Sequence, residues 1–309
     1  MTAVPTTRPS RVASLEDAER LAVSDFLDAH PGGTGAPVAV VVAAYDEEAT
    51  VAEVVRSVPA SAAGLATEVI VVVDGATDST APEAAGAGAL VCEVPVNRGQ
   101  GAALRLGYHL ARLRGADVIA TLDADGQYDP AELDAVVGPI VAGQADFVTG
   151  SRRLGTELTT DGARHAGVVV FAALISVMIG RRITDPACGL RAMRADVSAE
   201  VTLDQPQYQA GELLISAALA GYRVTEVAIT MRPREAGVTK KGGNFLYGVR
   251  FGGAILKTWW RDRVRARPHD RRVLAFGRGR SRLRIIRDHK HAKVLGGSAT
   301  RPVPDAGVR

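Results

Sequence analysis

The sequence predicts an α/β fold built on a doubly wound, mostly parallel sheet with flanking helices. Short, uninterrupted apolar runs rich in β-branched residues recur along the chain, as strands buried on both faces require. Segments of helical periodicity alternate with them at the spacing of strand–helix units. The chain is also long enough: 309 residues, 47% hydrophobic and 23% charged, can bury one large core or two small ones. This composition excludes a collagen-like, coiled-coil or wholly disordered chain.

The elements follow in order. Residues 1–13 read as disordered. Ser14 is placed to cap a short helix running to about His30, with Asp17 at the capping-box position. Pro31 to Pro37 is a Gly-rich linker, so residues 1–36 form an N-terminal extension. The first buried strand is Val38 to Ala43, followed by a helix over Glu48 to Val58. Further strands are expected at Glu68 to Val73, Ala89 to Val94, Val118 to Leu122 and, short, at Phe147 to Thr149. Helices are expected at Gly99 to Arg114 and at Pro130 to Val141, the latter with proline in its first turn. Beyond them, Ala163 to Gly180, Ala210 to Ala220 and Gly242 to Trp260 read as helices, and Arg223 to Met231 as a strand. Asp185 to Arg194 reads as a loop entering a strand. The folded domain is thus expected to span 37–260, leaving 261–309 as a basic, disordered tail.

Charge is unevenly distributed. The net charge of +3 divides into +11 over residues 261–309 and −8 over the rest. A basic tail on an acidic body points to an anionic surface, and Trp259 and Trp260 ahead of Arg261, Arg263, Arg265 and Arg267 have the makeup of an interfacial anchor. Residues 259–293 are therefore the expected contact with anionic membrane. The tail's arginines lack interleaved aromatics and a nucleic-acid motif, so no specific nucleic acid is expected. The longest uncharged apolar run, Ala166 to Gly180, has 15 residues, short of the roughly 20 needed to span a bilayer. The polar N-terminus lacks a signal-peptide core. Cys92 and Cys188 cannot build a disulfide scaffold, which suits a reduced compartment. The expected location is cytoplasmic, peripheral on the inner face of the cell membrane.

In a doubly wound sheet, ligands bind beyond the C-terminal ends of the strands. Here those ends are acidic: Tyr45-Asp46-Glu47-Glu48 after the first, Asp74-Gly75-Ala76-Thr77-Asp78 after the second, and Asp123-Ala124-Asp125-Gly126-Gln127 after the fourth. Crowded carboxylates call for a cation or hydrogen-bond donors. Asp123, Asp125 and Gln127 alternate, which on an extended segment puts three oxygens on one side. Mg²⁺ or Mn²⁺ takes few protein oxygens and fills its shell with phosphate and water. Asp78 is expected to cap the next helix instead. Asn97-Arg98-Gly99-Gln100-Gly101-Ala102 reads either as a phosphate cradle at a helix start or as a site of close helix packing.

Together with Gly150-Ser151-Arg152, Asp185-Pro186-Ala187-Cys188-Gly189-Leu190-Arg191 and the segment Arg234 to Lys240, these motifs resemble the family 2 inverting glycosyltransferases of GT-A fold. Within them the sequence is most similar to the polyprenyl-phosphate hexosyltransferases of the dolichol-phosphate mannose synthase group. The resemblance covers about 37–260. It implies transfer of a hexose from UDP-glucose, UDP-GlcNAc or GDP-mannose to a polyprenyl phosphate, with Mg²⁺ or Mn²⁺. It implies that Tyr45 and Glu47 line the base pocket with Ala44 in the same binding set, that Asp74 binds the nucleoside, that Asp123, Ala124 and Asp125 bind the nucleotide, and that Asp123, Asp125 and Gln127 surround the metal. Arg152, Arg234 and Lys240 would reach phosphates. Departures from the family pattern stand at Ala44, Asp46, Val73, Gln100 and Val238-Thr239-Lys240. A lipid phosphate is already ionised near neutral pH, whereas a hydroxyl acceptor needs a general base, for which Asp185 and Glu212 are the candidates. The catalytic set expected is Asp125, Asp185, Glu212 and Arg234. A glycosyltransferase acting on a hydroxyl acceptor in cell-surface or specialised-metabolite assembly shares every donor-side motif. A sugar nucleotidyltransferase would instead begin with a Gly-rich, basic loop after the first strand.

Overall fold

The computed structural model describes residues 14–31, 35–158, 162–233 and 244–265, with backbone alone at 162–166, 244–247 and 265. Helix α1 (Leu15–Ala29) begins as expected: the Ser14 hydroxyl accepts from the Asp17 backbone N–H at 3.1 Å and donates to the Asp17 carboxylate at 2.8 Å. The sheet then builds from β1 (Val38–Ala44), the two-residue β2 (Ser61–Ala62), β3 (Leu65–Asp74), β4 (Leu90–Val94) and β5 (Val118–Asp123). Between them run α2 (Val51–Ser57), α3 (Thr80–Gly86) and α4 (Gln100–Leu113). Then come α5 (Leu133–Val141), β6 (Phe147–Glu157), α6 (Gly162–Ile179), β7 (Arg191–Arg194), α7 (Ala195–Glu200), α8 (Gln209–Leu219), β8 (Val224–Met231) and α9 (Asn244–Arg265).

Strands β4, β3, β1 and β5 pair in parallel. Antiparallel β7 joins β5 to β6, and β8 pairs in parallel with β6. One sheet face packs on α2, α3 and α5, with Val40, Val71, Leu122 and Val136 among its buried residues. The other packs on α1, α4 and α8, with Phe26, Ile70, Leu106 and Leu213. The continuous apolar runs are explained by this two-sided burial.

The register positions the site. Ala43 lies opposite Asp123, and Ala44 opposite Val73. The residues that follow, Tyr45, Asp74 and the turn after Asp123, therefore leave the sheet side by side at its C-terminal rim.

Four features depart from expectation. Strand β6 runs eleven residues rather than three, since its second half pairs with β8 across an irregularity between Ser151 and Thr156. A 3₁₀ turn, Pro130–Glu132, precedes α5. Helices α3 and α7, of 7 and 6 residues, are too short to show a period. Helix α9 continues through Arg265, so the boundary expected at 260 falls inside it. The remaining residues of the expected tail lie outside the described residues. Cys92 and Cys188 are buried free thiols, and burial pushes each up to about 12, as expected of inert packing cysteines.

Candidate active site

The loops after β1 and β3 are zipped together by their own polar groups. Asp46 adopts a left-handed backbone, φ 47°, which Asp tolerates better than bulkier residues, and its Oδ1 accepts from the Thr77 N–H at 2.8 Å. The Glu47 N–H donates to Thr80 Oγ1 at 2.8 Å, and the Glu48 N–H to Asp78 Oδ2 at 3.1 Å. Asp78 also accepts from the Thr80 N–H and hydroxyl. Burial would raise its pKa, but the bonds from Thr80 and Glu48 outweigh it and hold the carboxyl below its ordinary value. Asp78 is thus a loop organiser, while the cap position of α3, expected to be Asp78, falls on Ser79. Tyr45 is exposed at the mouth of this arrangement, Glu47 is half-buried, and Ala44 is buried beneath.

Asp74 is buried. Its Oδ2 accepts from the N–H groups of Arg98 and Gly99 at 2.8 and 2.7 Å. The Gly101 N–H donates to the Pro206 carbonyl at 2.6 Å. A Cβ at Gly101 would lie 2.2 Å from the Gln205 carbonyl oxygen. The Gly99 and Gly101 amides are therefore already engaged, and the glycines allow close packing of the segment over residues 205–207. These contacts match the packing reading of the Gly-rich loop.

The turn after β5 is fixed from three sides. Thr50 Oγ1 donates to the Ala124 carbonyl at 2.8 Å. Asp125 is buried, and its Oδ1 accepts from the Gln127 N–H at 3.1 Å. Gln127, also buried, is stitched to the end of β8: its carbonyl accepts from the Arg232 N–H at 2.8 Å, and its Nε2 donates to the Arg232 carbonyl at 3.3 Å. Asp123 Oδ1 accepts from Gln100 Nε2 at 3.0 Å. Its Oδ2 faces Gly189, where a Cβ would lie only 2.2 Å away. Gly189 is itself clamped, donating its N–H to Tyr128 Oη at 3.1 Å and accepting from Thr121 Oγ1 at 2.8 Å. Asp74, Asp123 and Asp125 are thus brought to one rim.

The two candidate bases are both engaged in buried ion pairs. Asp185, fully buried, grips Arg152 through both oxygens, at 2.6 Å to Nε and 2.7 Å to Nη2. Burial alone would lower the Arg152 pKa, but this pairing raises it further above its already high value. The third nitrogen of Arg152 meets the sulfur of Met231 at 3.4 Å. Arg152 is thus gripped by Asp185 through two of its nitrogens. Glu212 accepts from the N–H groups of Asp204 and Gln205 at 2.8 and 2.9 Å and from Arg261 at 2.8 Å. It holds the segment that packs on the Gly-rich loop. Both carboxylates proposed as general bases are thus held in ion pairs. Arg234 and Lys240 lie outside the described residues.

Residues 39–202 match the model of the family described as glycosyl transferase family 2. The chain belongs to this family. Among its relatives, dolichyl-phosphate hexose transferase of Haloferax volcanii is 32% identical over 230 residues, covering 74% of this chain and 96% of the relative. Dodecaprenyl-phosphate galacturonate synthase of Rhizobium johnstonii is 29% identical over 294 residues, covering 89% and 84%. Glucosyl-3-phosphoglycerate synthase from Mycobacterium tuberculosis, solved with Mn²⁺, UDP and phosphoglyceric acid, superimposes with a TM-score of 0.59 at 22% identity over 82% of this chain and 84% of that one. That likeness shows the shared GT-A fold.

This family 2 glycosyltransferase also uses residues that the motif reading left without a role. Gln100, a departure from the family pattern, orients Asp123. Thr50, Thr121 and Tyr128 hold the backbone on which the rim carboxylates stand. Among the described residues, no three His, Cys, Asp or Glu side chains converge on a point where they could hold a metal ion alone. Two carboxylates on one turn instead fit a hard ion that leaves most of its shell to phosphate and water.

Proposed function

We propose that the enzyme transfers a hexose from a nucleoside-diphosphate sugar to a polyprenyl phosphate. The observation that carries this reading is the engagement of both candidate bases. With Asp185 paired to Arg152 and Glu212 to Arg261, neither candidate base is free of a cationic partner, which favours an acceptor that arrives ionised. The names of the relatives from Haloferax volcanii and Rhizobium johnstonii support the same acceptor class. Tyr45, Glu47 and Asp74 would take the nucleoside, and Asp123 and Asp125 would hold a Mg²⁺ or Mn²⁺ ion, with Gln127 fixing their turn. That ion would offset charge on the departing diphosphate. An acceptor phosphate oxygen bonds to the anomeric carbon as the bond to the diphosphate oxygen breaks, inverting the configuration. Arg234 and Lys240, on the segment following Arg232, are proposed to bind the same phosphates.

The acceptor reading implies a lipid surface. Among the described residues no helix is long and apolar enough to cross a membrane. Helices α6 and α9 pack through Phe171 and Phe251, ring centroids 4.8 Å apart. They leave outward Val170 and Val177 on one, and Leu256, Trp260 and Val264 on the other. Trp259, expected as a second anchor, is turned inward: its indole N–H donates to the Met178 carbonyl at 3.0 Å. Trp260 would therefore be the aromatic that enters the headgroup region. The test incubates the enzyme with labelled UDP- and GDP-sugars, Mn²⁺ and polyprenyl phosphate in anionic liposomes. Label is expected in the solvent-extractable lipid. Label passing only to water-soluble hydroxyl acceptors would contradict the reading.

A further inference from the structure

We propose that Glu19, on the helix that precedes the sheet, keeps Asp74 open to the nucleoside by drawing the Arg98 guanidinium away from it. This rests on the reading of Asp74 as a nucleoside-binding residue. Helix α1 lies before the segment matched to the family, residues 39–202.

The geometry is a three-residue relay. Arg98 stands between two carboxylates, with its side chain only 7% exposed. Its Nη1 meets Glu19 Oε2 at 2.5 Å, while its Nε reaches Asp74 Oδ1 only at 3.5 Å. Its Nη2 is buried with no hydrogen-bond partner among the described residues. A guanidinium beside a buried carboxylate ordinarily closes into a two-bond grip. Here Glu19 holds it off that geometry and one nitrogen goes unused. The consequence falls on Asp74. Its Oδ2 is saturated by the Arg98 and Gly99 amides, but its Oδ1 receives only the long Arg98 contact. Oδ1 is therefore the acceptor left for a donor group of a nucleobase or ribose. Helix α1 is anchored for this task by Ala18, Ala22 and Phe26 in the core and by the Cys92 thiol on the Ala22 carbonyl.

Removing the Glu19 charge frees Arg98 to close on Asp74 and occupy Oδ1. Glu19 is thus a positioning residue, acting through Arg98. The test measures binding of UDP and of GDP, each with Mn²⁺, by calorimetry in a double-mutant cycle. Glu19→Gln is expected to weaken whichever nucleotide binds about tenfold, the loss of one charge-assisted hydrogen bond. It is expected to raise KM for the sugar nucleotide with kcat little changed. In the Arg98→Met background the same substitution is expected to have no effect, because the competing guanidinium is gone. Glu19→Asp, which keeps the charge, should retain most of the affinity and tests the proposal even if Arg98→Met does not fold. Unchanged affinity in Glu19→Gln, or an equal loss in both backgrounds, overturns the proposal. Absence of nucleotide binding by the wild-type enzyme would instead overturn the nucleotide-site reading, and the proposal with it.

Discussion

Gly189→Ala is expected to lower sugar transfer by roughly 100-fold while leaving the protein folded. The added methyl would stand 2.2 Å from Asp123 Oδ2 and 2.8 Å from a ring carbon of Tyr128. The backbone at residue 189 cannot retreat, because Tyr128 and Thr121 hold its N–H and its carbonyl. Tyr128 is buried and equally fixed. The yielding partner is the Asp123 side chain, which must rotate and give up its bond from Gln100. A carboxylate displaced by an ångström or more would no longer present its oxygens to the diphosphate-bound ion proposed above. The local strain itself should cost about 1–3 kcal/mol of stability. Steady-state kinetics alongside urea denaturation separates the two effects. Activity falling only in proportion to folded fraction would mean that Asp123 has no chemical role.

Arg152→Met is expected to act the other way, on stability first. It leaves the Asp185 carboxylate buried without its cation, a change that costs about 3–5 kcal/mol out of a total of about 5–15. Asp185 also accepts from the Ala187 N–H at 3.2 Å, and its own N–H donates to Glu226 at 2.9 Å, so the whole 184–187 segment loosens with it. The double variant Arg152→Met/Asp185→Asn removes the stranded charge. It should be less destabilised than the two single losses combined. Denaturant midpoints for the three variants check this. A stable but inactive Arg152→Met would restore the phosphate-binding role that the family resemblance assigns to Arg152.

The sheet and its acidic rim were legible because both are written locally. Apolar runs such as Val38 to Ala43 announce two-sided burial, and the residues following each strand are at the rim by topology alone. Partners far apart in sequence were not legible. Arg152 and Asp185 are 33 positions apart, Glu212 and Arg261 49, and Glu19 and Arg98 79. Arg152, Asp185 and Glu212 taken singly read as catalytic or ligand-binding groups, and only the fold reveals their partners. Gly189 shows the same limit from the other side, since nothing in its neighbours' identities signals that Asp123 needs the space. Arg261 looks like the first residue of a basic tail, yet within α9 it binds α8, Asp204 and Asp262.

The central claim is that Asp123 and Asp125 hold a diphosphate through a divalent ion. Its most direct test is calorimetric titration of UDP and of GDP into the wild-type enzyme and into Asp125→Asn, each with Mn²⁺ and with EDTA. The account predicts that Mn²⁺ strengthens nucleotide binding to the wild type by about tenfold or more and does little for the variant. Equal enhancement by Mn²⁺ in both proteins, or none in either, would contradict it.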